Sequence, residues 1–293
     1  MDFTNSTATQ AFGASPGILQ SCWSYYISRT GNDFFTHYFI GASTLYELLY
    51  IFYGGMFVFM DLTGMPASFK KYKIQDKANM PLDITKVWKL MPLVFLNEFI
   101  LTPSMNGILA KLHIYFHGPR TNVAELPGIH EVITHLLFFL IFSEIWMYYA
   151  HWAMHQKFLY KHVHYVHHEW TAPIAWQSVY CHPIEHIFAN ILSVALGPLI
   201  LGSHVSLLYF WGAFATTVSL TTHSGYHLPF LRSSEYHDYH HLKFNQNFGV
   251  VGFLDMFHGT SKRFTSSVQG LRHRVLYSSK SAKELYPDNK KSD

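Results

Sequence analysis

The chain has 293 residues, of which 49% are hydrophobic, 17% aromatic and only 13% charged. A soluble domain carries about 25% charged residues, so one large water-soluble core is excluded and lipid contact is expected. The formal charge of +3, with no basic stripe, excludes a nucleic-acid partner. Cys22 and Cys181 are the only cysteines, too few for a disulfide framework or a thiolate metal site. Histidine is the unusual count, 21 against 18 acidic residues.

In chain order, Met1 to Gly17 is polar and lacks a basic n-region, so it is not expected to act as a cleavable signal peptide. Three stretches approach the about 20 apolar residues that a bilayer requires, near 38–60, 90–112 and 128–150. The second is the weakest of them, since it contains Asn97, Glu98, Pro103 and Asn106. A fourth apolar region, 187–222, is too long for one pass. Gly197, Pro198, Gly202 and Ser203 near its middle predict a hairpin of two helices or a re-entrant pair. The expected fold is therefore an all-α integral membrane bundle of about four to five helices in hairpins, with a cytosolic histidine-rich helical cap that holds a dimetal site. Its expected divisions are a lumenal or interfacial N-terminus (1–35), membrane helices with a Lys-rich loop (36–126), a catalytic region (127–262) and a cytosolic tail (263–293).

Lys70, Lys71, Lys73, Lys77, Lys86 and Lys89 lie between the first two stretches. The positive-inside rule puts that loop in the cytosol. Counting crossings then places the N-terminus in the lumen and both histidine-rich regions, with the C-terminus, in the cytosol. Asn5-Ser6-Thr7 is a sequon on the expected lumenal side, and Lys290-Lys291 reads as a dilysine retrieval signal for the endoplasmic reticulum.

The chemistry is carried by a pattern that occurs twice. His151 and His155 precede His164, His167 and His168; His223 and His227 precede His237, His240 and His241. Each copy reads HxxxH, then HxxHH. On a helix, positions i, i+3 and i+4 share one face, so each HxxHH is expected to present three imidazoles to one point. Ten imidazoles suit two first-row transition ions rather than calcium or magnesium, and exceed the four ligands of a structural zinc site. Iron is the redox-active choice, although zinc binds such donors more tightly and is an expected occupant of purified protein. A packing role explains a lone histidine better than ligation does, which covers His37, His113, His117, His130, His135, His204, His258 and His273.

The segments HWAMH, HYVHH, HSGYH and HDYHH resemble the fatty acid hydroxylase and sterol desaturase superfamily of membrane di-iron enzymes. HHEWTAP, YCHPIEH, HSGYHLPF and SSEYHDYHHLKFNQNFG make 144–260 most similar to C-4 methylsterol monooxygenases and, more closely, to the branch of fatty acid hydroxylase domain-containing proteins. FKKYKIQDK extends the similarity upstream, so it covers all but about the first 30 and last 20 residues. The resemblance implies two irons at the ten histidines, O2 as oxidant, and electrons from NAD(P)H through cytochrome b5 and its reductase. It implies a sterol, oxidised at a C-4 methyl group, or another bilayer lipid as substrate. Many relatives place Arg where Trp152 stands, and some end the third box with Asp where His227 stands; neither departure removes a ligand.

Around the boxes, His182 and Glu185 (in HPxEH), Glu144, Asp238 and Asn247 are expected to orient ligand imidazoles. For His182 the competing reading is a capped turn, with Pro183 at the helix start. His162 and His186 are the expected substitutes if one of the ten is not a ligand. Trp146, Tyr148, Tyr149 and Trp152 read as interface belt or core. Two other functions remain open: a fatty-acyl or sphingolipid hydroxylase or desaturase with the same centre, and a non-catalytic zinc-binding membrane protein.

Overall fold

The computed structural model describes residues 17–118 and 123–288 and is helical throughout its regular elements. The sequon and the dilysine pair lie outside the described residues. A short helix, α1 (Ile18–Thr30), is followed by five helices long and apolar enough to span a bilayer: α2 (Phe34–Thr63), α3 (Ile84–His117), α4 (Ile129–Met154), α5 (Pro183–Leu201) and α6 (Val205–His223). The region 187–222 is thus a hairpin of two helices, turned at Gly202, whose φ of 58° suits glycine. Even the 19-residue α5 is about 28 Å long, which matches the roughly 30 Å hydrocarbon layer.

Local chemistry sets the helix ends. Asp33 caps α2 by accepting from the Thr36 N–H at 2.7 Å, and Asp83 caps α3 by accepting from the Thr85 N–H at 2.9 Å. Pro183 opens α5, and Gly64 closes α2 in the left-handed region. The polar residues that weaken α3 as a span face protein: Asn97 is fully buried, and Glu98 and Asn106 nearly so. A π-helical stretch, Leu96–Leu101, turns both Asn97 and Glu98 inward. Elsewhere α2 and α6 pack closely because Gly212 leaves room for Tyr46, whose hydroxyl donates to the Leu208 carbonyl at 2.7 Å.

The bundle has two distinct ends. At one, the Trp23 indole donates to the Val123 carbonyl at 2.8 Å, and the His204 ring reaches the same oxygen at 3.2 Å. The other end gathers the Lys-rich loop and the histidine regions. There Ile74 N–H donates to Gly225 O and His227 N–H to Tyr72 O, both at 2.9 Å, and Gln75 Nε2 donates to Thr171 O at 2.8 Å. Buried Lys73 locks this junction through Asp61 at 2.6 Å and the Ser224 carbonyl at 3.0 Å. All ten boxed histidines therefore share an end with the Lys-rich loop. Packed on α4, the short helix Phe253–His258 leaves Phe253, Met256 and Phe257 exposed.

Candidate metal centre

Each box rests on a different scaffold. His151 lies in the last turn of α4 and His155 caps it. His164, His167 and His168 lie on a 3-10 helix, His164–Glu169, not on an α-helix. His223 ends α6, and His237, His240 and His241 lie on α7 (Glu235–Lys243).

The expectation that each HxxHH converges on one point is corrected by the structure. His151, His155, His164, His168 and His240 form one group; His167, His223, His237 and His241 form the other. Each HxxHH thus sends two rings to one group and one ring to the other. The reason is geometric: adjacent residues diverge by about 120° on the 3-10 helix and about 100° on the α-helix, so His167 and His168, or His240 and His241, cannot aim at one point. The groups abut, with the His168 and His241 ring centroids 4.9 Å apart.

His227 joins neither group. Its Nε2 lies 2.8 Å from the Arg274 carbonyl, and its Nδ1 faces Glu235 at 3.7 Å. Neither proposed substitute joins a group: His186 pairs with Thr102 at 2.9 Å and His162 stacks near Phe158. The eight histidines read as packing residues also stay outside both groups.

The rings are oriented through their second nitrogens. Nδ1 of His151, His167, His223, His240 and His241 lies against the carbonyls of Phe248, Tyr180, Ser219, Gln246 and Trp170, at 2.6 to 3.2 Å. Each of those Nδ1 atoms must hold the proton, which leaves Nε2 as a bare lone pair. His164 Nδ1 lies 2.8 Å from Glu185. The Nε2 atoms then crowd together: His168 with His164 at 3.0 Å, His240 with His168 at 3.1 Å, and His237 with His223 at 2.8 Å. His223 and His167 meet at 3.4 Å although both have committed their protons elsewhere. Facing lone pairs repel, and a cation between them is what relieves the repulsion. The donor set therefore fits two divalent transition ions.

Burial pushes the His164 ring down to about 3. It also holds His155, His167, His168, His237, His240 and His241 far below the usual imidazole range, with neighbouring rings adding to the effect. The rings are neutral at pH 7, as ligation demands.

The other expected site residues divide. Glu185 Oε1 lies 2.8 Å from His164 Nδ1. Glu144 acts one step further out: its carboxylate accepts from the Val250, Val251 and Gly252 N–H groups at 2.8 to 3.0 Å, which anchors the loop whose Phe248 carbonyl holds His151. His182 is the capped turn, its Nδ1 accepting from Ile184 N–H at 3.2 Å. Asp238 accepts from Gln75 at 3.1 Å and so ties α7 to the Lys-rich loop, with no bond to a ring. Burial, with Glu235 adding, pushes Asp238 up to about 7 against the Gln75 hydrogen bond and the Lys73 charge. Asn247, at φ 62°, donates to the Tyr236 carbonyl at 2.9 Å and shapes the turn after α7. Two residues went unread in the sequence. Asp255 accepts from the Phe248 and Gly249 N–H groups, and buried Gln177 donates to the His167 carbonyl. Asp255 is an acid set in the apolar run GFLDMF, which is the signal that could have revealed it.

A cavity of about 290 Å³ opens from the groups into the bundle. His151, His164, His167, His223 and His237 line one part of it, and Leu140, Leu208, Trp211 and Phe214 line its apolar part. The arrangement defines a polytopic membrane protein whose paired imidazole groups stand at the head of an intramembrane apolar cavity.

The comparisons agree with that class. The fatty acid hydroxylase profile matches residues 136–260. Fatty acid hydroxylase domain-containing protein 2 from Homo sapiens is 37% identical over 280 residues, 96% of this chain and 84% of its own. Very-long-chain aldehyde decarbonylase GL1-8 from Oryza sativa is 32% identical over 258 residues, 84% of this chain and 92% of its own. Methylsterol monooxygenase 2-2 from Arabidopsis thaliana is 29% identical over 259 residues, 84% of this chain and 93% of its own. No solved structure matches. The chain belongs to the fatty acid hydroxylase and sterol desaturase superfamily.

Proposed function

We propose that this chain is a di-iron monooxygenase of the endoplasmic reticulum membrane that hydroxylates a 4-methylsterol at its C-4 methyl group. The observation that carries the reading is the pair of abutting imidazole groups open to an apolar cavity inside the bundle. The five-histidine and four-histidine groups would hold one iron each. Iron bound there supplies the redox chemistry that lets O2 attack an unactivated C–H bond. One oxygen atom enters the C–H bond and the other leaves as water. Two electrons and two protons are consumed, with NAD(P)H as source through cytochrome b5 and its reductase.

The chain's own residues do the rest. The five carbonyls hold the ring protons of their histidines on Nδ1 and keep Nε2 directed inward, and Glu185 lies 2.8 Å from His164 Nδ1. Leu208, Trp211 and Phe214 admit an apolar body and exclude water from the reacting end. The Lys-rich loop at the same end argues for a cytosolic site, within reach of a soluble-domain electron donor.

An acyl-chain substrate is the second reading. It is favoured by the aldehyde decarbonylase relative, which is more identical to this chain than the methylsterol monooxygenase is. Lipid profiling separates the two. Cells lacking the protein are expected to accumulate 4-methylsterols, to be corrected by the native chain, and to stay uncorrected by His167→Ala with His240→Ala. Unchanged sterols with altered acyl hydroxylation would overturn the sterol assignment. Equal rescue by both chains would overturn the metal chemistry.

A further inference from the structure

The cavity contains a polar group that the metal chemistry does not use. Glu98 lies in the middle of α3, lines the cavity, and is only 5% exposed. No hydrogen bond or ion pair to its carboxyl exists among the described residues. Its electrostatic neighbour is Glu47 on α2, another acid, which supplies no counter-charge. Several polar side chains that line the cavity with it are engaged. Tyr46 donates to the Leu208 carbonyl, Tyr50 to the Trp176 carbonyl at 2.5 Å, Asn106 to Ser43 at 3.0 Å, and Thr102 to the Asn97 carbonyl at 3.1 Å.

An unpaired buried carboxyl is expensive, and at membrane depth more so. Here the expense is built in, because the π-helical stretch Leu96–Leu101 is what turns Glu98 toward the cavity. The face that bears it is also fixed relative to the histidines. One residue before, Asn97 donates to the Cys181 carbonyl at 2.8 Å; one turn after, Thr102 pairs with His186. Residues 181 and 186 flank Glu185, which touches His164. Glu98 is thereby held against the segment that supports the five-histidine group.

We propose that Glu98 is a substrate-recognition residue that hydrogen-bonds a hydroxyl group on the lipid. A hydroxyl is the group a carboxyl can pair with in either protonation state: the carboxylate accepts, and the acid can also donate. The pairing satisfies Glu98 only when a hydroxyl-bearing lipid is in place. It discriminates strongly against a lipid without that group, which leaves the carboxyl unpaired. The shared chemistry is the alcohol, whether borne by a sterol or by a ceramide. The sterol case rests on the function proposed above.

The test uses full-length protein in lipid nanodiscs, titrated with radiolabelled 4-methylsterol, with the same sterol lacking its hydroxyl, and with a ceramide. The native chain is expected to bind the sterol alcohol at least about ten-fold more tightly than its deoxy form, the discrimination that lost buried hydrogen bonds bring. Glu98→Leu is expected to bind the two alike, while metal content and gel-filtration profile stay native. Equal binding of alcohol and deoxy sterol by the native chain, with ceramide binding also indifferent to Glu98, overturns the proposal. Ceramide binding that depends on Glu98, without sterol discrimination, keeps the hydroxyl subsite and overturns the sterol assignment instead. Should Glu98→Leu fail to fold, the alcohol-to-deoxy ratio on the native chain decides alone.

Discussion

Alanine at His167 and alanine at His168 are expected to empty different metal centres, although the two residues are neighbours in sequence. His167 faces His223, His237 and His241; His168 faces His155, His164 and His240. Disturbing an outer-shell partner of a metal ligand typically costs about 10- to 100-fold in affinity, and deleting a ligand itself costs at least as much. Each single variant should therefore purify with about one equivalent of metal where the native chain holds two. Pairing distinguishes the centres: His167→Ala with His241→Ala removes two ligands of one group and should leave one equivalent. His167→Ala with His168→Ala strikes both groups and should leave none. Elemental analysis after gel filtration reads the outcome. If the adjacent pair left one equivalent and the 167/241 pair left none, the ligands would be grouped box by box and the crossed arrangement would be wrong.

Replacing Glu144 with alanine is expected to be nearly as damaging, at a residue that touches no histidine. Its two oxygens accept from three consecutive N–H groups, Val250 to Gly252, and Asp255 accepts from the two before them. The two carboxylates thus grip five successive amides. The loop is so closely fitted that a Cβ at Gly249 would lie 2.7 Å from Glu144 Oε1. Loss of Glu144 strands one buried and two part-buried donors, and at about 1–3 kcal/mol for a fully buried donor a total on the order of 3 kcal/mol follows. For a chain of this size that lowers the unfolding midpoint by on the order of 10 °C. The damage should also be selective. The loop supplies the Phe248 and Gln246 carbonyls that orient His151 and His240, both in the five-histidine group. Metal should leave that group while the four-histidine group keeps its ion. A native midpoint together with native metal content would show that Glu144 does not position the centre.

The sequence made the bundle legible because apolar length is a one-dimensional property. Three spans could be read singly and the last two as a hairpin or re-entrant pair; α3 was among the three, although Asn97, Glu98 and Asn106, which face inward, obscured it. The histidines were legible as a set because their spacing repeats. Their partition was not, because it depends on which way adjacent side chains diverge on a 3-10 helix and an α-helix. His227 shows the limit of pattern: it holds the box position, yet the Arg274 carbonyl claims its Nε2. The orienting groups were the least legible. Five of them are backbone carbonyls, which every residue carries, so no side-chain signature marks Phe248, Tyr180, Ser219, Gln246 or Trp170. Glu185 and Glu144 could be anticipated because a buried acid needs a partner. His182, Asp238 and Asn247 were read by the same logic and instead cap, tie and shape the surrounding backbone.

If these imidazole groups use O2 to oxidise a lipid drawn from the bilayer, the oxygen added to that lipid comes from the gas. Labelled oxygen gas tests it most directly: native protein in membranes, with NAD(P)H and its electron-transfer partners, is given 4-methylsterol under 18O2 and the product is weighed by mass spectrometry. One 18O atom is expected in the hydroxylated product from the native chain, and none above background from His167→Ala with His240→Ala. Product without 18O, or equal labelling by the two chains, would contradict it.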